Sequence, residues 1–184
     1  VRVAVLADSD TRWKWGAMTA ARLAPGARID GLLLRGRATP TPRQLAEVGV
    51  TVDSLREVTG AEFLDAVCPG ADGAEPPVDI VVLACVGGAV QAMLHGLASR
   101  ARSGRRPVVV TGYVGVVYEK LSDGLLLRHG ADVVLANSPY DAERFRTVYE
   151  GVGAGGGSVV ECVLPFLESA PGEGDEAAPA AGGD

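Results

Sequence analysis

The stretch LADSDTRWKWG, Leu6 to Gly16, holds two carboxylates (Asp8, Asp10), a hydroxyl (Ser9), two cations (Arg12, Lys14) and both tryptophans of the chain (Trp13, Trp15). Carboxylates two residues apart could hold sugar hydroxyls, share a metal or take a proton as general base. Asp10 or Ser9 could instead cap a following helix, whereas Asp8 is less easily explained that way. Arg12 and Lys14 near a helix start oppose the dipole there. A solvated face tolerates that placement, and it also suits an anionic group. Residues two apart on a helix point about 200° apart, so one tryptophan is expected in the core. The other is expected exposed or in a cleft, where a sugar ring can stack on it.

A second candidate segment is TGYVGVVYEKLSDG, Thr111 to Gly124. Thr111 and Gly112 close an apolar run, Tyr113 and Tyr118 offer flat faces with hydroxyls, and Glu119 beside Lys120 is a possible general base. The alternative is an ordered loop with an exposed ion pair. Gly87 and Gly88 follow the run IVVLACV, where backbone amides could hold phosphate or simply allow tight packing. Asn137 and Ser138 complete the set of polar residues at the ends of apolar runs.

These segments are positioned by a repeating strand–helix pattern. Apolar runs at 1–7, 29–34, 55–58, 79–86, 107–111, 132–136 and 158–163 read as seven strands. Helices are expected over 11–23, 42–48, 60–67, 89–101, 119–128 and 139–149. Capping-box signals at Thr41–Gln44, Thr59–Glu62 and Ser138–Asp141 start three of them. Near-continuous apolar strands alternating with helices imply an α/β fold with a doubly wound, mainly parallel seven-stranded sheet and helices on both faces. Ligands of such sheets bind outside the carboxyl ends of the strands, where all four polar segments fall.

Composition narrows the classes. The 184 residues suit one domain, expected over 1–167, and 47% hydrophobic content argues against disorder for the bulk of it. Residues 168–184, an acidic Gly/Ala/Pro-rich segment, read as a disordered tail. The net charge of −6 comes largely from there, since 18 acidic residues face 17 basic ones elsewhere. No basic field exists to attract nucleic acid. The absence of a long apolar run and of a signal-peptide pattern gives the expectation of a cytoplasmic protein with no transmembrane segment. Cys68, Cys85 and Cys162 show no zinc-type spacing, so reduced thiols and no metal site are expected. A phospho-receiver would need an aspartate at the end of VVLACVGG, which has none. The glycine fingerprint of nicotinamide dehydrogenases is missing after the first strand.

RHGADVVLANSPYDAERFRTVYEGVG, Arg128 to Gly153, resembles the late part of the N-terminal Rossmann-like domain of GT-B-type glycosyltransferases. VRVAVLADSDTRWKWGAMTA and PVVVTGYVGVVYEKLSDGLLLRHGADVV are further similar to an actinobacterial family of glycosyltransferase-like proteins. The resemblance spans about residues 1–167. It implies an acceptor-side domain serving sugar transfer from a nucleotide-activated donor, with a small-molecule sugar acceptor and a separate or missing donor-binding domain. No cofactor is expected. Asp8, Asp10, Gly112, Tyr113 and Glu119 would match acceptor-side or cleft residues. The alternative is a non-catalytic sugar- or nucleotide-binding module or partner-docking domain, which an exposed apolar cleft face or a stable homodimer would mark.

Overall fold

A computed structural model describes residues 1–69, 77–101, 106–116 and 118–165. The expected tail at 168–184 lies outside the described residues. In chain order the elements are β1 (Arg2–Ala7), α1 (Asp10–Leu23), β2 (Arg28–Leu34), α2 (Pro42–Val48), β3 (Ser54–Val58), α3 (Gly60–Val67) and β4 (Ile80–Ala84). There follow α4 (Gly87–Arg100), β5 (Val108–Gly112), a short 3₁₀ turn (Tyr118–Lys120), α5 (Leu121–Leu126), β6 (Val133–Ala136), α6 (Pro139–Gly151) and β7 (Val159–Glu161).

All seven strands form one parallel sheet in the order β3-β2-β1-β4-β5-β6-β7. The order reverses once, between β1 and β4. Right-handed crossovers then require the helices of the two halves to lie on opposite faces. Strand residues alternate accordingly. Ala4, Leu6, Val81, Leu83 and Val134 face a layer built by α3, α4, α5 and α6 through Phe63, Leu97, Leu125, Phe145 and Tyr149. Val3, Val5, Ala7, Val82 and Leu135 face α1 and α2. The expected α/β, doubly wound, parallel seven-stranded architecture is the one found.

Local chemistry fixes where the elements start. Thr41 and Thr59 make full capping boxes: their hydroxyls accept from the Gln44 and Glu62 amides. Their own amides donate back to Gln44 Oε1 (2.9 Å) and Glu62 Oε2 (2.7 Å). The third box is only half made. Ser138 Oγ accepts from the Asp141 amide, but the Asp141 carboxylate accepts from the Tyr118 hydroxyl at 2.7 Å instead of turning back.

Two further expectations need correction. The helix expected from Ala89 begins at Gly87, so Gly87 and Gly88 form its first turn rather than a loop before it. Both tryptophans are buried, Trp13 1% and Trp15 2% exposed. They do leave α1 on opposite sides, but each side is covered. A Cβ added at Gly31 of β2 would stand 2.5 Å from Trp13, and one at Gly112 of β5 would stand 2.8 Å from Trp15. Each indole lies over a strand that has no side chain beneath it.

Candidate functional site

At the carboxyl ends of β1, β4 and β5, beside the reversal in strand order, lies a cavity of about 680 Å³. Its walls come from α1 (Arg12, Trp15), the turn into α4 (Cys85, Val86, Gly87), the segment after β5 (Gly112–Gly115), Lys120, and α5 with its end (Asp123, Gly124, Leu127, Arg128). The volume falls in the range of small-molecule sites.

Asp8 links the first two walls. It follows β1 directly, and its Oδ1 accepts from Arg12 Nη1 at 2.8 Å while its Oδ2 accepts from the Val86 amide at 2.9 Å. This carboxylate fixes a cavity arginine and the start of α4 together. Ser9, rather than Asp10, is the N-cap of α1, accepting from the Arg12 amide. Asp10 accepts from the Thr11 amide at 2.8 Å and from Gln44 Nε2 at 3.4 Å. It belongs with Lys14 to a separate cavity of about 350 Å³ between α1 and α2.

The other sequence-named residues divide in the same way. Gly87, Gly112, Tyr113 and Lys120 line the main cavity. Gly88 is exposed beside it, with open space where a Cβ would stand. Thr111 is fully buried and its hydroxyl donates to the Leu83 carbonyl at 2.9 Å, so it joins strands rather than meeting a ligand. Asn137 Nδ2 donates to the Tyr113 carbonyl at 3.0 Å and holds the segment that follows β5. Ser138 caps α6. Tyr118 sits outside the cavity lining in an exposed group with Tyr140 and Arg144, whose guanidinium lies 5.4 Å from each ring. Glu119 is exposed on the 3₁₀ turn and is not a lining residue. Trp13 and Trp15, both enclosed, offer no free face for a sugar ring; only Trp15 reaches the cavity wall.

Two charged lining residues, Asp123 and Arg128, were not among the candidates named from sequence. Asp123 is the one carboxylate among the described lining residues. Arg128 is 6% exposed and donates from Nε to the Gly112 carbonyl (3.2 Å), from Nη1 to Gly124 (2.9 Å) and from Nη2 to Cys85 (3.3 Å). Its guanidinium also lies 4.1 Å from the centre of the Tyr113 ring. One side chain thus ties the ends of β4 and β5 to α5. Burial lowers its pKa from the ordinary value, yet a guanidinium stays protonated in a protein. Burial also raises the Tyr113 hydroxyl pKa, against the opposing charge of Arg128. The sequence signal for Arg128 was its place at the end of a leucine run, where it reads equally well as an exposed cation at a helix C-terminus.

Cys68 and Cys85 are buried and Cys162 partly so, all three free. Burial pushes the Cys85 thiol pKa up, which disfavours its reactive thiolate form. Among the described residues no group of His, Cys, Asp or Glu could hold a metal ion. No helix among them is long and apolar enough to cross a membrane.

The molecule is therefore a Rossmann-like α/β domain with a ligand-sized cavity at its topological switch point. Residues 3–182 match the family described as "Putative glycosyltransferase (DUF6716)", and the chain belongs to that family. No curated protein sequence matches it.

Proposed function

We propose that the chain is the acceptor-side, N-terminal half of a GT-B-type glycosyltransferase, related to actinobacterial members of that class. The observation that carries this reading is the cavity at the β1/β4 reversal, in a chain of a glycosyltransferase family. In the reaction an acceptor hydroxyl attacks the anomeric carbon of a nucleotide-activated sugar, forming the glycosidic bond as the nucleoside diphosphate leaves. The hydroxyl proton passes to a carboxylate. In this reading Asp123, the carboxylate on the cavity wall, takes that proton, while Asp8, with both oxygens engaged, positions Arg12 and the start of α4. Asp10 and Glu119, away from this cavity, are assigned no proton transfer. The donor is held by a second, donor-binding domain.

The test is thermal unfolding of this chain with a panel of nucleotide sugars, each compared with inorganic pyrophosphate. A ligand at tenfold its Kd stabilises by about 1.4 kcal/mol, or about 3–6 °C for a domain of this size. The reading expects no nucleotide series to exceed pyrophosphate. A shift specific to one nucleobase would mean that this domain binds donor itself, and would overturn the acceptor-side assignment.

A further inference from the structure

Arg128 is a buried cation without an anion. Its three nitrogens donate to carbonyl oxygens and its guanidinium lies against the Tyr113 ring, but no carboxylate pairs with it among the described residues. Carbonyls satisfy its N–H groups but leave the charge uncompensated, an expensive arrangement away from water. Gly87 lies against it: a Cβ there would stand 3.2 Å from Arg128 Nη1. Gly87 is also the first residue of a 14-residue helix whose N-cap, Val86, offers no side-chain acceptor and whose first turn has no acidic residue. The positive end of a helix dipole and a buried guanidinium therefore share one stretch of cavity wall.

The rest of the lining sharpens this imbalance. Arg12 and Lys120 bring two more positive charges. Against them stand Asp123 on the wall and Asp8 behind it, and both Asp8 oxygens are already taken. The Tyr113 hydroxyl, on another lining residue, is the one buried side-chain polar atom without a hydrogen-bond partner among the described residues.

We propose that this cavity is an oxyanion site that takes a phosphate group of the molecule bound in the cleft. The Gly87 and Gly88 amides, Arg12 and Lys120 are its direct donors, and Arg128 is the fixed charge behind them. An anion there removes the repulsion between the helix terminus and the guanidinium, which is the physical reason for a phosphate rather than a neutral hydroxyl. If the acceptor-side reading holds, the acceptor is a phosphorylated molecule; that clause rests on the reading, and the anion site does not.

The experiment is titration of inorganic phosphate and pyrophosphate at low ionic strength, by calorimetry and thermal unfolding. Three variants accompany the unaltered chain: Gly88→Asp, Lys120→Ala and Arg128→Met. Gly88 has open space where its Cβ would stand, so a side chain is accommodated there and its carboxylate adds negative charge at the start of the helix beside the cavity. Expected are pyrophosphate binding to the unaltered chain, at least tenfold weaker binding to Gly88→Asp, and a few-fold loss in Lys120→Ala. Gly88→Asp should also melt higher than the parent when no ligand is present. Arg128→Met should lose binding; if it does not fold, the two exposed-site variants decide. Absence of pyrophosphate binding, or equal binding by the parent, Gly88→Asp and Lys120→Ala, overturns the proposal. A sugar 1-phosphate and a nucleoside diphosphate then tell which reactant supplies the phosphate. Inorganic probes need no glycosyl transfer, so failure of the enzymatic reading leaves a positive result intact.

Discussion

Trp13 and Trp15 leave α1 in opposite directions, and each comes down on a glycine. At Gly31 an added methyl would meet Trp13 at 2.5 Å and Leu55 at 2.6 Å; at Gly112 it would meet Trp15 at 2.8 Å and the Leu135 carbonyl at 3.1 Å. Overpacking of this kind typically costs about 1–3 kcal/mol. Gly31→Ala and Gly112→Ala should each lower stability by about that amount in urea unfolding. The two differ in consequence, because Trp15 lines the cavity and Trp13 does not. Gly112→Ala should therefore also weaken ligand binding, while Gly31→Ala leaves affinity unchanged per folded molecule. A parent-like stability for both variants would show that the indoles can move aside. The sequence correctly separated the two tryptophans by angle. It did not show that a helix can bury both flanks when the floor on each side is a glycine.

At the scale of elements, three aspartates repeat one device. Asp53, Asp79 and Asp132 each stand just before a strand and accept the amide at the start of the neighbouring one: Ile29 (2.7 Å), Arg2 (2.8 Å) and Val109 (2.7 Å). Each also pairs its own amide with the carbonyl of that same residue. These contacts set the register at the amino end of the sheet. For Asp132, burial raises the carboxyl pKa, but hydrogen bonds from Arg106 and the Val109 amide outweigh it and leave it below the ordinary value. A depressed native pKa adds stability above the unfolded-state value of about 3.9, lost as pH falls through the native one. Asp132→Asn should thus be less stable by about 1–3 kcal/mol at neutral pH. Its deficit should close only in acid, as read from unfolding free energy against pH. Thr59→Ala, which removes a complete capping box, should cost about 1 kcal/mol. Elements were the most legible layer of the sequence, since apolar runs and capping residues are local. All seven strands and the six expected helices are present. The start of α4 was misplaced because Gly-Gly reads as a turn when nothing local shows that Asp8, far back in the chain, holds the Val86 amide.

The whole molecule explains why the site was legible only in part. Strand ends are predictable from sequence, and Arg12, Gly87, Gly112, Tyr113 and Lys120, named from those ends, line one cavity. Arg128 and Asp123 belong there because α5 folds back over the ends of β4 and β5, a matter of tertiary path that spacing does not encode. Asp10 and Lys14 follow the right strand but face α2, on the far side of α1 from the cavity. The strand order has a further consequence, for the birth of the protein. β1 pairs with β2 from Arg2↔Arg28, but its other neighbour, β4, begins only at Ile80. A nascent chain that has produced β1, β2 and β3 holds half a sheet whose most apolar strand has one bare side. Such an unpaired strand is a template for association. Residues 1–69 expressed alone should therefore self-associate, as sedimentation would read. In the full chain, β4 covers that side of β1 and passes the bare edge on to β5, and the same docking brings Gly87 towards Arg128.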